Sequence, residues 1–281
     1  MKKLFYALGA MLLAAMLAFP LTACGNKKKV NVINIELTAE DYAFAIQKGN
    51  SELLSVVNAY LSESKENGSL EKLINSYFDG TATFSYTNKT SQAANGDFIV
   101  ATNAFFPPFE SYNDNAAFVG IDIEIAYNIA QKLGKTLFVH DMEFDSIIGS
   151  VTQGKAAIGM AGITVNDTRK LQVDFADGYY TSAQVITVKA DDKTFEDCKT
   201  KEDVEAILSA KNSSYSIGTQ KGTTGYMYSH GDADFEYDGF PVDTKAYDTG
   251  ALAMQDLANG KINAVILDKQ PSLMIAKKMN K

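Results

Sequence analysis

The sequence predicts an α/β chain of two similarly built lobes, on three observations. From Phe98 onward, short apolar strands alternate with amphipathic helices, which argues for parallel sheets with helices on their faces. Two stretches echo each other: Asp145 to Lys155 leads into Ala156 to Ala161, and Gly250 to Lys261 leads into Ile262 to Leu267. Each reads as a helix, a Gly-Lys turn and an apolar strand with a polar site at its carboxyl end. Ligands of open α/β sheets bind at the carboxyl ends of strands, so the cleft between two such lobes is the expected site.

In chain order, residues 1–23 read as a secretory signal: Lys2 and Lys3 precede the apolar run Leu4 to Phe19, which is short for a membrane span. Leu21-Thr22-Ala23-Cys24 resembles the lipobox of bacterial lipoproteins, in which the cysteine is lipidated and becomes the first residue. That resemblance implies lipidation at Cys24, with residues 24–29 as a tether holding the protein on the extracytoplasmic face of the cell membrane. Val30 to Ile35 alternates like a strand, and Tyr42 to Ile46 reads as another. Ser51 can cap a helix that puts Leu53, Leu54, Val57, Tyr60 and Leu61 on one face and ends at Asn67-Gly68. Ser69 caps a second helix through Tyr77 and Phe78. Residues 81–97 are rich in Thr, Ser, Asn, Gly and Ala and read as a linker with little core-forming content. Phe98 to Thr102 is a strand. The helix after Gly120-Ile121-Asp122 buries Ile125, Ile129, Ala130 and Leu133 and stops at Gly134. Leu137 to His140 is a strand, Ser146 to Val151 a helix and Ala156 to Ala161 a strand.

Composition narrows the function classes. Without a signal of 23 residues, about 250 remain, enough for one large or two modest lobes. Losing Lys2 and Lys3 takes the net charge from -8 to -10, which argues against nucleic acid as a partner. His140 and His230 are isolated, so no metal site is expected. No phosphate loop, dinucleotide fingerprint or Gly-x-Ser-x-Gly implies a cofactor or a hydrolase. Cys198 has no partner for a disulfide in the processed chain.

Arg169 is the one arginine among 26 basic residues. A guanidinium grips a carboxylate through two parallel hydrogen bonds, which an ammonium cannot imitate. A surface ion pair is the competing reading, but lysine serves elsewhere in the chain. A free amino acid presents a carboxylate and an ammonium on one carbon. Arg169 with amides near Thr164 can meet the first, aided across the cleft by N–H groups of Gly222-Thr223-Thr224-Gly225. Asp268, ending the second echoed strand, can meet the ammonium or can cap the helix before Pro271.

Gly120-Ile121-Asp122-Ile123-Glu124-Ile125, with Ile129, Ala130 and Leu133, resembles the signature of the family 3 extracellular solute-binding proteins, the polar amino acid receptors of ABC importers. Asn103 to Glu110 resembles the family's first ligand loop. Gly162 to Arg169, Val173-Asp174-Phe175 and Gly178-Tyr179-Tyr180 resemble its central block. Gln220 to Thr224 and Ala264 to Asp268 resemble its second-lobe blocks. The resemblance implies a two-lobed periplasmic-binding-protein-like fold of type II, with two α/β lobes joined by a two-strand hinge. It implies that Arg169 clamps the α-carboxylate with the amides of Thr164 and Thr224. Asp268, the Gly162 carbonyl and the Thr164 hydroxyl would hold the ammonium. Thr223 stands beside them. Phe106 and Phe144 match positions that sandwich the ligand side chain, and Asn103 and Gln220 match positions that choose it. Relatives for basic ligands usually carry a carboxylate where Asn103 stands, which favours a neutral polar ligand such as glutamine, or cystine. The implied partners are a free amino acid, the permease of an ABC importer and the membrane, and the receptor is expected to be a monomer and no enzyme. A competing implication is a dehydratase of prephenate or arogenate, with Glu110, Glu143 or Asp145 as acid or base. A stand-alone amino acid sensor is another.

One departure stands out. The family's usual C-terminal piece resembles Glu36 to Phe78, which here precedes its usual N-terminal piece. The chain thus reads as circularly permuted, with residues 81–97 joining the old ends, a reach of about 50 Å when extended. This places 38–186 in one lobe and 30–37 with 187–281 in the other. Strands near Glu36 to Tyr42 and Ser182 to Lys189 form the hinge.

Overall fold

The computed structural model describes residues 29–281, so the expected signal, Cys24 and most of the tether lie outside the described residues. Two five-stranded sheets organise the molecule. The first runs in the order Val173–Phe175, Ala45–Gln47, Ile158–Gly159, Phe98–Thr102 and Leu137–Asp141. The second orders Val30–Ile33, Gln184–Lys189, Ala264–Asp268, Ser216–Gln220 and Asp243–Tyr247. In each sheet three neighbouring strands are parallel, as alternating strands and helices predict. The other two pair antiparallel, because they lead into or out of the hinge rather than through a helical crossover.

The hinge is a short ribbon in which Glu40–Tyr42 pairs antiparallel with Tyr180–Ser182. The expected single strand through Tyr42 to Ile46 is therefore two strands in two sheets. The break at Ala43-Phe44 lets the chain cross from the ribbon into the first sheet, with the buried Phe44 ring stacked 4.4 Å from Tyr179. Gln184 to Ile186, expected in the first lobe, pair with Asp268 to Ile266 inside the second sheet.

The helices Ser51–Glu66 and Ser69–Asp79 pack with Ile121–Lys132 on the first sheet. Leu53, Val57 and Tyr60 share one core with Phe98, Val100 and Ile158. Tyr77 hydroxyl donates to Glu124 at 2.8 Å, and Asn128 amide to Tyr60 hydroxyl at 3.2 Å. Both expected caps are shifted by one residue. Asn50, not Ser51, accepts the Leu53 amide at 3.2 Å, because its longer side chain reaches the first turn from outside. Gly68, in the left-handed region at φ 73°, stands at the cap before Ser69, a conformation that a side chain would strain.

Of Ala156 to Ala161, only Ile158–Gly159 pairs as a strand. Residues 81–97 lack regular structure but do contribute to packing, contrary to their composition. Phe84 and Tyr86 lie against Tyr127, Tyr86 bridges Phe118 and its hydroxyl donates to the Leu137 carbonyl. The Asn88 side chain meets Val139 twice, donating to its carbonyl at 2.8 Å and accepting its N–H at 2.9 Å. The segment thus covers the outer edge of the first sheet, where unpaired backbone groups would otherwise stand exposed. Among the described residues, no helix is long and apolar enough to cross a membrane.

Candidate functional site

Each side chain at the site sits where a regular element ends. In the first lobe, Asn103 follows the strand Phe98–Thr102 and Phe106 closes a two-residue strand. Phe144 begins a 3-10 turn, and Gly162 and Thr164 follow the strand Ile158–Gly159. Arg169 belongs to the one-turn helix Asp167–Lys170, whose start is fixed by the Asn166 side chain accepting the Arg169 N–H at 2.8 Å. In the second lobe, Gln220 ends a strand, Thr223 caps the helix Thr224–His230, and Asp268 ends the strand Ala264–Asp268. The structure brings all ten residues together around one interlobe cavity of about 10 Å³. That is roughly the space of one water, so the two lobes stand close together here.

The Arg169 guanidinium is buried and donates to the Thr164 carbonyl at 2.7 Å and to the Gly222 carbonyl of the opposite lobe at 3.1 Å. Phe144 presents its ring 5.4 Å from the Arg169 guanidinium carbon. Burial draws the Arg169 pKa down to about 10, against the opposing pull of Glu40 and Asp268, so it stays cationic at neutral pH. Asp268 is 4% exposed and receives the Tyr42 hydroxyl. Burial first, and then the charge of Glu40, raises the Asp268 carboxyl to about 7. Asp268 occupies the cap position of the helix Lys269–Met279, yet its side chain makes no cap bond. Its carboxylate is directed to the site instead.

Gly162 lies at φ 54°, and a Cβ there would meet the Phe106 ring at 2.8 Å and Tyr42 at 3.2 Å. The Gly162 N–H donates to Asp122 at 3.0 Å. Gly222, at φ 73°, passes so close to Asp145 of the first lobe that a Cβ would lie 2.9 Å from it. Around this approach, Lys221 pairs with Asp145 at 2.6 Å and the Gln220 amide donates to Asn103 at 2.9 Å. Thr223 hydroxyl donates back to the Gln220 carbonyl at 2.7 Å, while the buried Thr224 hydroxyl has no partner.

Behind the cavity lies a set of residues that the sequence reading did not assign to the site. Glu40 accepts the Thr164 hydroxyl at 2.6 Å. Asp122 accepts the Tyr179 hydroxyl at 2.6 Å as well as the Gly162 N–H. Burial raises Asp122 to about 7, and burial together with the charge of Asp122 holds the neighbouring Glu110 well above the usual carboxylate range. Glu110 sits off the cavity wall. Glu143 is also off that wall, and Asp145 is engaged by Lys221. A partial signal for Glu40 and Tyr42 exists in the sequence. They alternate on one face of a strand expected in the hinge, and a hinge strand must pass the floor of the cleft. Among the described residues no group of His, Cys, Asp or Glu could hold a metal ion.

Comparison with known proteins extends this picture. Residues 98–268 match the bacterial extracellular solute-binding proteins, family 3. The arginine-binding extracellular protein ArtP of Bacillus subtilis is 36% identical over 105 residues, 37% of this chain and 41% of that protein. The ABC transporter arginine-binding protein 1 of Escherichia coli is 32% identical over 186 residues, 66% of this chain and 67% of that protein. The chain thus spans from two fifths to two thirds of the length of these relatives. Among solved structures, an ancestral arginine-binding protein bound to arginine superposes with a TM-score of 0.56 at 34% identity, over 66% of this chain and 75% of that one. The ancestral amino acid-binding protein AncCDT-1, a precursor of cyclohexadienyl dehydratase, superposes with a TM-score of 0.56 at 28% identity, over 65% and 74%.

Proposed function

Because this chain belongs to the bacterial extracellular solute-binding proteins of family 3, we propose that it captures a free amino acid between its lobes and hands it to an ABC importer. One observation carries this reading: a buried cation, Arg169, and a buried carboxylate, Asp268, face one interlobe cavity from opposite lobes. A zwitterion satisfies both, its carboxylate at Arg169 and its ammonium among Asp268, the Gly162 carbonyl and the Thr164 hydroxyl. No bond need be broken, and closure of the lobes desolvates the charges that discriminate the ligand. Phe106 and Phe144 supply the apolar walls. Asn103 and Gln220 line the cavity with uncharged amide groups, which favours a neutral polar side chain such as that of glutamine, or cystine, over a cationic one.

A thermal-shift screen against the common amino acids, cystine and prephenate tests the proposal. At a hundredfold excess over the dissociation constant, stabilisation of about 2.7 kcal/mol is expected. A shift with one or two neutral polar amino acids supports the receptor reading, and no shift with any amino acid refutes it. Turnover of prephenate or arogenate would favour the dehydratase reading that AncCDT-1 suggests. Against that reading, none of Glu110, Glu143 and Asp145 lines the cavity.

The circular permutation belongs to the same proposal, and three observations support it. The segment ahead of residue 98 lies outside the family match, yet it supplies strands to both sheets and the helices Ser51–Glu66 and Ser69–Asp79. The two ends of the described chain meet: Asn280 accepts the N–H of Lys29 at 2.7 Å and donates to the Val30 carbonyl at 2.9 Å. The solved relatives align with only 65–66% of this chain, close to the share that follows residue 97. The first lobe would then comprise 38–183 and the second 30–37 with 184–281. The lipid anchor at Cys24 completes the proposal. Cys24→Ser is expected to move the protein from the membrane to the soluble fraction, and continued membrane retention would oppose it.

A further inference from the structure

We propose that Glu40, on the hinge strand, is a positioning residue for capture: by accepting the hydrogen bond of the Thr164 hydroxyl, it leaves that oxygen only lone pairs to offer the ligand's ammonium group. The inference rests on the amino acid receptor reading above. Glu40 is 3% exposed and does not touch the cavity itself. One of its oxygens accepts the Thr164 hydroxyl at 2.6 Å. The other accepts the Thr38 hydroxyl at 2.6 Å and the Gln184 amide at 2.9 Å. The carboxylate is thus held by groups on the hinge strand, the second sheet and the first lobe together, and cannot turn away without losing charge-assisted bonds.

A hydroxyl owns one proton and two lone pairs. With its proton committed to Glu40, Thr164 can offer the cavity lone pairs alone. An ammonium offers donors alone, so the two are complementary. An amide at position 40 would relax this constraint. Its NH₂ could donate to Thr164, whose proton would then point into the cavity and oppose a donor there. Tyr42, two residues on and on the same strand face, does the corresponding work for Asp268, donating to one carboxylate oxygen and leaving the other for the ligand.

Electrostatics point the same way. Glu40 faces Arg169, Asp268, Tyr42 and Tyr237, while Asp268 also acts on Glu110 and Tyr180. Glu40 and Asp268 together set two carboxylates against the single guanidinium of Arg169. The excess negative charge lies where the ammonium would sit. After burial, which is the larger cause, it also makes Asp268 harder to ionise before that ammonium arrives.

The test is calorimetric titration of the purified protein with the common L-amino acids and L-cystine, using wild type, Glu40→Gln, Thr164→Val, Thr164→Ser and the double variant Glu40→Gln/Thr164→Val. Glu40→Gln and Thr164→Val are each expected to weaken binding roughly tenfold at about pH 8, with Thr164→Ser near wild type and the double variant no worse than Thr164→Val. The loss of affinity on acidification should also move to lower pH in Glu40→Gln, because the charge that raises Asp268 is gone. If Glu40→Gln does not fold, Glu40→Asp replaces it. That variant keeps the charge but withdraws the oxygen from Thr164, and is expected to lose as much as Thr164→Val. Additive losses in the double variant, or wild-type affinity and pH profile in the Glu40 variant, overturn the inference while leaving the receptor reading intact. Absence of binding to every probe by the wild type overturns both.

Discussion

At the scale of single residues, the site depends on two buried charges that lysine or an amide cannot replace. Arg169→Lys keeps the charge but loses the planar fork, and Asp268→Asn keeps the shape but loses the charge. Each is expected to weaken amino acid binding by at least about tenfold in calorimetry, since truncating one partner of a buried charge pair costs about 2–5 kcal/mol. Affinity within a factor of about two of wild type for both would remove them from the site. The buried acids also set a pH dependence. Asp122 and Asp268 are held near 7 when folded, whereas an unfolded chain releases such protons near pH 4. Between those limits the folded state holds more protons, so stability falls as pH rises. The melting temperature without added amino acid should therefore rise on going from about pH 8 to about pH 6, and a fall over that window would contradict the assignment. Affinity should move the opposite way, weakening below about pH 7, where Asp268 takes up the proton that an ammonium must displace. Nine of the ten cavity residues are legible in the sequence because each stands within a short local pattern that resembles a family block, and Phe144 is legible only as a single matching position. Glu40, Tyr42 and Asp122 carry no such local mark of a site role. Their role comes from partners 40 to more than 200 positions away, such as Asp122 with Gly162 and Tyr42 with Asp268, and no local pattern encodes that.

At the scale of elements, helices and central strands were legible from period and punctuation, and the errors fell at boundaries and crossings. The stretch Tyr42 to Ile46 reads as one strand because all its residues are buried; nothing in its composition marks the point where it leaves one sheet for another. The packing of residues 81–97 is hidden in the sequence for a related reason. Few of its residues are apolar, but Phe84, Tyr86 and Asn88 are the ones that matter, and Asn88 imitates a paired strand residue against Val139. Asn88→Ala removes both bonds and uncovers the sheet edge. Denaturant unfolding should show a loss of about 1–3 kcal/mol, with amino acid affinity unchanged. No loss of stability would mean that the linker merely lies on the surface.

At the scale of the whole molecule, two lobes follow from alternation and internal echo, while the hinge and the order of the pieces are visible only by resemblance. If the order is permuted, the contacts should be indifferent to where the backbone is cut. A rearranged chain beginning at Phe98, running from Asn280 directly into Lys29 and ending at Asp79 should fold with the same ligand preference, its melting temperature lowered only by the lost contacts of Phe84, Tyr86 and Asn88. Failure of that chain to fold would mean that residues 81–97 or the native ends are indispensable. The bonds from Asn280 to Lys29 and Val30 also have a practical meaning. Fluorophores fused to the two ends would ride on the same lobe and travel as one body, so their energy transfer would stay constant through opening and closing. Moving one of them to the exposed stretch around Lys89 to Ala94, on the other lobe, would turn the same protein into an optical gauge of its own closure.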